Sequence, residues 1–112
     1  MKTPDFDPQK AEDFEGKVVD MLNFGSLALM TSLGHRTGLF DGMTNLSFST
    51  SEEIARNAGL NERYVREWLG AMTTANIIEH RAEDNTYRLP PEHAACLTRS
   101  SAPNNLAAFT NT

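Results

Sequence analysis

Residues 50–79, TSEEIARNAGLNERYVREWLGAMTTANIIE, decide the fold of this chain, because they spell a helix-turn-helix that runs into a wing. Thr50 and Glu53 have the spacing of a capping box, which starts a first helix over 51–58. Ala55 is small where a second helix must cross, and Gly59 can adopt the positive φ that ends the first. Asn61 suits the N-cap of the second helix, expected over 62–75, with Val65, Trp68, Leu69 and Met72 as its inner stripe. Asn76 suits a left-handed exit. Two short strands, 77–81 and 86–89, then flank the polar loop Ala82-Glu83-Asp84-Asn85, which reads as the wing hairpin. The expected fold is mainly α, a winged helix-turn-helix with a small two-stranded antiparallel wing.

Outward from this motif, Pro90-Pro91 stops the second strand and a short helix is expected over 92–97. On the N-terminal side, residues 36–49 are turn-rich, with Gly38 and Gly42 as punctuation and Leu39 and Phe40 as anchors. Before them, two helices are expected. One covers 9–23, with Ala11, Phe14, Val18 and Met21 or Leu22 at helical spacing. The other covers 25–35 and differs in kind: Phe24, Leu27, Ala28, Leu29, Met30 and Leu33 leave almost no polar face. A helix that is apolar all round is buried all round, and a domain this small offers it little cover. The division expected is a disordered arm over 1–8, the winged-helix domain over 9–98, and over 99–112 the start of a linker helix toward a further domain. Pro103, Leu106 and Phe109 mark that last helix.

Composition narrows the function classes. With 112 residues the chain holds one domain with a modest core, and its formal net charge of −5 gives no global field that draws phosphate. Over 50–89, five arginines (Arg56, Arg63, Arg66, Arg81, Arg88) face seven acids (Glu52, Glu53, Glu62, Glu67, Glu79, Glu83, Asp84), a balance of −2. A DNA-reading helix needs donors for base edges and cations for flanking phosphates. Here Glu62 and Arg66, and Arg63 and Glu67, stand four apart as ion pairs, and the wing tip is acidic. Absence of a long apolar run argues against a membrane span. The single cysteine, Cys96, allows no intrachain disulfide and points to a reducing, cytoplasmic setting.

Three strings resemble a known family: LALMTSLGHRTGLFDGM over 27–43, GLNERYVREWLGAM over 59–72 and YRLPPEHAACLTR over 87–99. Together they resemble the N-terminal winged-helix domain of S-adenosylmethionine-dependent methyltransferases of the O-methyltransferase type. The resemblance covers about residues 11–109. It implies a domain that precedes a Rossmann-like catalytic half, pairs two subunits and forms one wall of the acceptor pocket, without holding the methyl donor. The residues it points to, for an interface or pocket wall, are Phe24, Leu27, Leu29, Met30 and Leu33, with His35 and Arg36 at the edge. S-adenosylmethionine is implied for a full-length parent, and a homodimer or a docked catalytic domain as partner. The chain departs from that pattern by stopping at Thr112, so no methyl transfer is expected from it alone.

The glycines support the same expectation, since no two stand as G-x-G after a strand. No catalytic constellation and no metal site is expected. His93 and Cys96, three apart, form only half a ligand set, and Cys96 reads as a small buried apolar residue. His35 and Arg36 read equally as cations at a helix C-terminus, His80 as solvent-facing, and Trp68 as core, with Tyr64 beside it. The competing reading of the whole is a winged-helix transcriptional regulator that binds DNA.

Overall fold

The computed structural model describes residues 5–98 and Leu106, and the following concerns those residues. Seven elements follow in order: α1 (Pro8–Arg36), α2 (Leu39–Met43), α3 (Ser51–Ala58), α4 (Glu62–Thr74), β1 (Glu79–Arg81), β2 (Thr86–Arg88) and α5 (Pro91–Leu97). The chain is a winged helix-turn-helix of mostly helical content with one antiparallel ribbon.

The motif closes through the caps its sequence encodes. Thr50 Oγ1 accepts from Glu53 N–H at 3.2 Å, while the Glu53 carboxylate accepts from Thr50 N–H at 2.9 Å, so two orphan donors are satisfied. Gly59 sits at φ 69°, which lets Leu60 N–H return to the Ala55 carbonyl at 2.9 Å and turns the chain toward α4. Asn61 caps α4 by accepting from Arg63 N–H at 2.9 Å. Asn76, at φ 61°, takes the left-handed exit that leads into the wing.

The N-terminal half differs from the two helices expected. One helix of 29 residues, α1, replaces both. The physical reason lies at 23–25: Asn-Phe-Gly holds no proline, and a glycine inside a helix costs only about 1 kcal/mol, which continuous hydrogen bonding offsets. Pro8 also acts differently than expected. It occupies the first turn, with Asp7 as N-cap accepting from Gln9 and Lys10 N–H at 2.9 and 3.4 Å. The arm expected over 1–8 therefore reaches helix by Pro8; residues 1–4, and residues 99–112 apart from Leu106, lie outside the described part.

The turn-rich stretch also holds more order than its composition suggests. Gly38 at φ 77° reverses the chain, and Leu39–Met43 form a short helix whose Leu39, Phe40 and Met43 are buried. Ser49 then pairs with Tyr87 as an isolated bridge, by N–H to carbonyl contacts of 3.0 and 2.8 Å in the two directions. The wing strands are shorter than expected and register as Glu79 with Arg88, His80 with Tyr87, and Arg81 with Thr86. Asn85, at φ 53°, turns the hairpin.

One core joins these pieces: Leu39, Phe40 and Met43 from α2, Ile54 and Ala55 from α3, Val65, Trp68, Leu69 and Met72 from α4, then Ile78, Tyr87, Leu89 and Ala94. Only the last third of α1 touches it, through Leu27 and Met30 and through Gly34, which is buried. A Cβ on Gly34 would lie 2.5–2.7 Å from ring carbons of Phe40 and Trp68. Glycine is therefore what lets α1 seat on the aromatic pair, whose rings meet edge to face at 5.3 Å.

Candidate functional site

Two surfaces compete for a role: the outward face of α4 with the wing, and the outward face of α1. On the first, the charges pair with one another. Arg66 lies 3.6 Å from Glu62 and Arg63 lies 3.8 Å from Glu67. Glu62 also accepts from Ser51 Oγ at 2.6 Å, which ties α4 to the start of α3. Exposed helix pairs of this kind contribute about 0.3–0.5 kcal/mol each, so they are weak as staples. Their consequence is electrostatic: each guanidinium that a phosphate would need has a carboxylate beside it.

The wing repeats this arrangement more tightly. Arg81 donates to both Asp84 oxygens, at 3.0 and 2.7 Å, and Thr86 Oγ1 donates to the same carboxylate at 2.6 Å. These bonds, Arg81 first and Thr86 next, bring the Asp84 carboxyl down to about 2 and raise Arg81. Arg88 donates to Glu79 at 3.0 Å across the ribbon. Phe48 lies against both guanidinium groups, 4.4 Å from Arg81 and 5.2 Å from Arg88. Sequence reasoning left Phe48 unassigned, because nothing in its neighbourhood shows that a bridge at Ser49 carries it under the wing. His80 faces solvent as expected and meets Asn85 Oδ1 at 2.8 Å.

On α1, the residues singled out by sequence divide between two sides. Leu27 and Met30 pack on the core, half-buried, and the Met30 carbonyl accepts the Trp68 indole N–H at 2.9 Å. Phe24, Leu29 and Leu33 are exposed, at 71%, 68% and 39%. His35 is half-buried and Arg36 exposed, in the last turn where cations complement the helix dipole. Further toward the N-terminus, Phe14, Met21 and Leu22 are also exposed. The helix that reads as apolar all round thus buries one flank in its own chain and presents the other.

Beside the end of α1, a groove of about 270 Å³ is lined by Leu33, Thr37, Leu39, Leu60, Tyr64 and Trp68. Trp68 is its buried wall and Tyr64 its exposed one. Two expectations about α5 need correcting or refining. Cys96 is exposed rather than buried, because the core side of this short helix is taken by Ala94, with Leu97 packed beside it. His93 Nδ1 lies 2.7 Å from the Ile77 carbonyl, so its ring ties α5 to the entry of the wing. Among the described residues, no group of three or more His, Cys, Asp or Glu side chains is placed to hold a metal. No described helix is long and apolar enough to cross a membrane.

Comparison with known proteins adds three findings. Residues 25–99 match a family model described as the Rv2258c-like winged HTH domain. No curated protein matches the chain. A solved structure of PigF with SAH aligns with a TM-score of 0.71 at 23% identity, over 94% of this chain and 28% of that one. This chain therefore spans little more than a quarter of PigF, and likeness at that identity concerns the fold.

Proposed function

The chain belongs to the Rv2258c-like winged HTH domains, and from that premise we propose that it is the accessory N-terminal domain of a S-adenosylmethionine-dependent methyltransferase. In this reading its exposed apolar helix is covered by a second subunit or by a catalytic half, and Phe24, Leu29 and Leu33, with Leu27, Met30, His35 and Arg36, border the interface or the acceptor pocket. The observation that carries it is the pairing of opposites in one fold. The surface a regulator would turn to DNA has its arginines matched by carboxylates, and the surface a DNA reader would leave polar is apolar. PigF supports the reading further, because SAH is what remains of S-adenosylmethionine after its methyl group leaves. A single cysteine fits a cytoplasmic setting.

The division of labour is physical. A methyl donor needs backbone N–H groups at a glycine-rich turn after a parallel strand, and an acid on its ribose. The described residues offer one antiparallel ribbon and helices instead. They can position, exclude water and wall a pocket. The chemistry belongs to the other half.

Two measurements test this. Calorimetry with S-adenosylmethionine should give no heat on the 112-residue chain, and a product extended through the frame beyond Thr112 should bind it; an extended product that does not bind overturns the reading. A DNA titration at low and physiological salt separates the regulator alternative. Weak binding that ignores sequence is expected, whereas tight binding that falls steeply with salt and is lost in Arg63→Ala/Arg66→Ala would favour a regulator.

A further inference from the structure

We infer that α1 pairs antiparallel with α1 of a second copy of this chain, through a stripe running from Phe14 to Leu29. The inference rests on the proposed reading of α1 as an interface and commits it to one partner, one orientation and one register. Phe14, Val18, Met21, Leu22, Gly25 and Leu29 follow the spacing i, i+4, i+7, i+8, i+11, i+15, which places them within about 100° of arc on a helix. The flank that meets the core, Leu27, Met30 and Gly34, lies on the opposite side. The stripe is therefore a second apolar face, independent of the fold's own packing.

Its area fits a partner. Phe14, Met21, Leu22 and Leu29 are 65%, 63%, 67% and 68% exposed. Four such side chains offer on the order of 500 Å² per copy, or about 1,000 Å² for a pair, where specific interfaces begin. The stripe also complements itself. Aligning Phe14 with Leu29 of the partner subunit places the two-fold axis between Met21 and Leu22 and sets Val18 against Gly25 of the partner subunit. Gly25 has nothing within 4 Å of where a Cβ would stand, so it is an open notch for that valine.

Charge selects the orientation. The first half of the helix and its cap carry Asp7, Glu12, Asp13, Glu15 and Asp20 against Lys10 and Lys17, while the last turn carries His35 and Arg36. Parallel pairing would stack acid on acid. Antiparallel pairing in this register opposes the two helix dipoles and brings Arg36 to Asp7 of the partner subunit. A closed, isologous contact results, in which each copy gives and receives the same residues.

Light scattering on the 112-residue chain should return twice its 12.4 kDa. Met21→Asp/Leu22→Asp should weaken association by more than about a hundredfold while leaving helical content unchanged, because both positions are exposed and outside the core. Orientation is read by oxidative cross-linking in a Cys96→Ser background. Leu22→Cys should link to itself, and Phe14→Cys should link to Leu29→Cys. Phe14→Cys alone should stay unlinked, since the two sulfurs stand about 22 Å apart along the axis.

A chain that is monomeric throughout overturns the inference, as does self-linking of Phe14→Cys, which means parallel pairing. A dimer indifferent to Met21→Asp/Leu22→Asp overturns it as well. None of these touches the methyltransferase reading, which stands or falls on donor binding by the extended product.

Discussion

The indole N–H of Trp68 donates to the Met30 carbonyl across 38 residues of chain, at 2.9 Å, and this one bond fixes the angle at which the long helix leaves the winged-helix body. It forms where the helix is already in use as scaffold, at a carbonyl four residues before Gly34. Because Gly34 has no side chain, the Trp68 and Phe40 rings come up to the helix backbone itself. Ahead of this point α1 leaves the core, and the molecule reaches 60 Å along its longest axis.

Gly34→Ala tests that seat. A methyl group there would meet aromatic carbons at 2.5–2.7 Å, so rings or helix must shift. Overpacking of this kind costs about 1–3 kcal/mol, against a gain of about 1 kcal/mol from replacing a helical glycine. Urea denaturation should show net destabilisation of about 1–2 kcal/mol, by the same principles. Gly25→Ala has the same propensity gain and no clash within the chain, and should leave the monomer equally or more stable. Equal effects at the two positions would count against the close approach.

Gly59 tests the turn between α3 and α4. At φ 69° an alanine pays the left-handed penalty of about 1–2 kcal/mol. Gly59→Ala should lower the urea midpoint accordingly, and Gly59→Asn should lose less, since asparagine tolerates this region. A Gly59→Ala protein as stable as the parent would mean that the turn differs.

Asp84 reports on the wing. Its carboxyl is held down at about 2, against an ordinary 3.8, first by Arg81 and then by Thr86. A depressed acid stabilises the folded wing fully above the ordinary value, and the contribution disappears as pH falls from about 3.8 through about 2. NMR titration of the Asp84 carboxyl should show the low midpoint, and Arg81→Ala should move it upward. A midpoint near 3.8 in the parent protein would break the proposed geometry.

Much of this was legible beforehand, for a reason that can be stated element by element. Thr50, Glu53, Gly59, Asn61 and Asn76 act within a few residues of themselves, through caps and left-handed turns, so sequence spacing contains the whole interaction. The stripe Val65, Trp68, Leu69 and Met72 is legible because helical periodicity maps directly onto burial. Where prediction missed, the deciding partner lay far along the chain. Ser49 becomes sheet only because Tyr87 arrives beside it, and Phe48 gains a purpose only under Arg81 and Arg88. Cys96 is exposed because Ala94 took the inner place on a seven-residue helix.

The sequence by itself determined the winged helix-turn-helix, the acidic balance of its would-be recognition surface and the excess of apolar residues between Phe24 and Leu33, since each is a matter of local order or of counting. Only the tertiary structure decided that this segment continues an unbroken 29-residue helix and which of its flanks remains bare. Local propensity says whether a helix forms; which side it buries depends on where Trp68 and Phe40 stand, and no spacing within α1 encodes that.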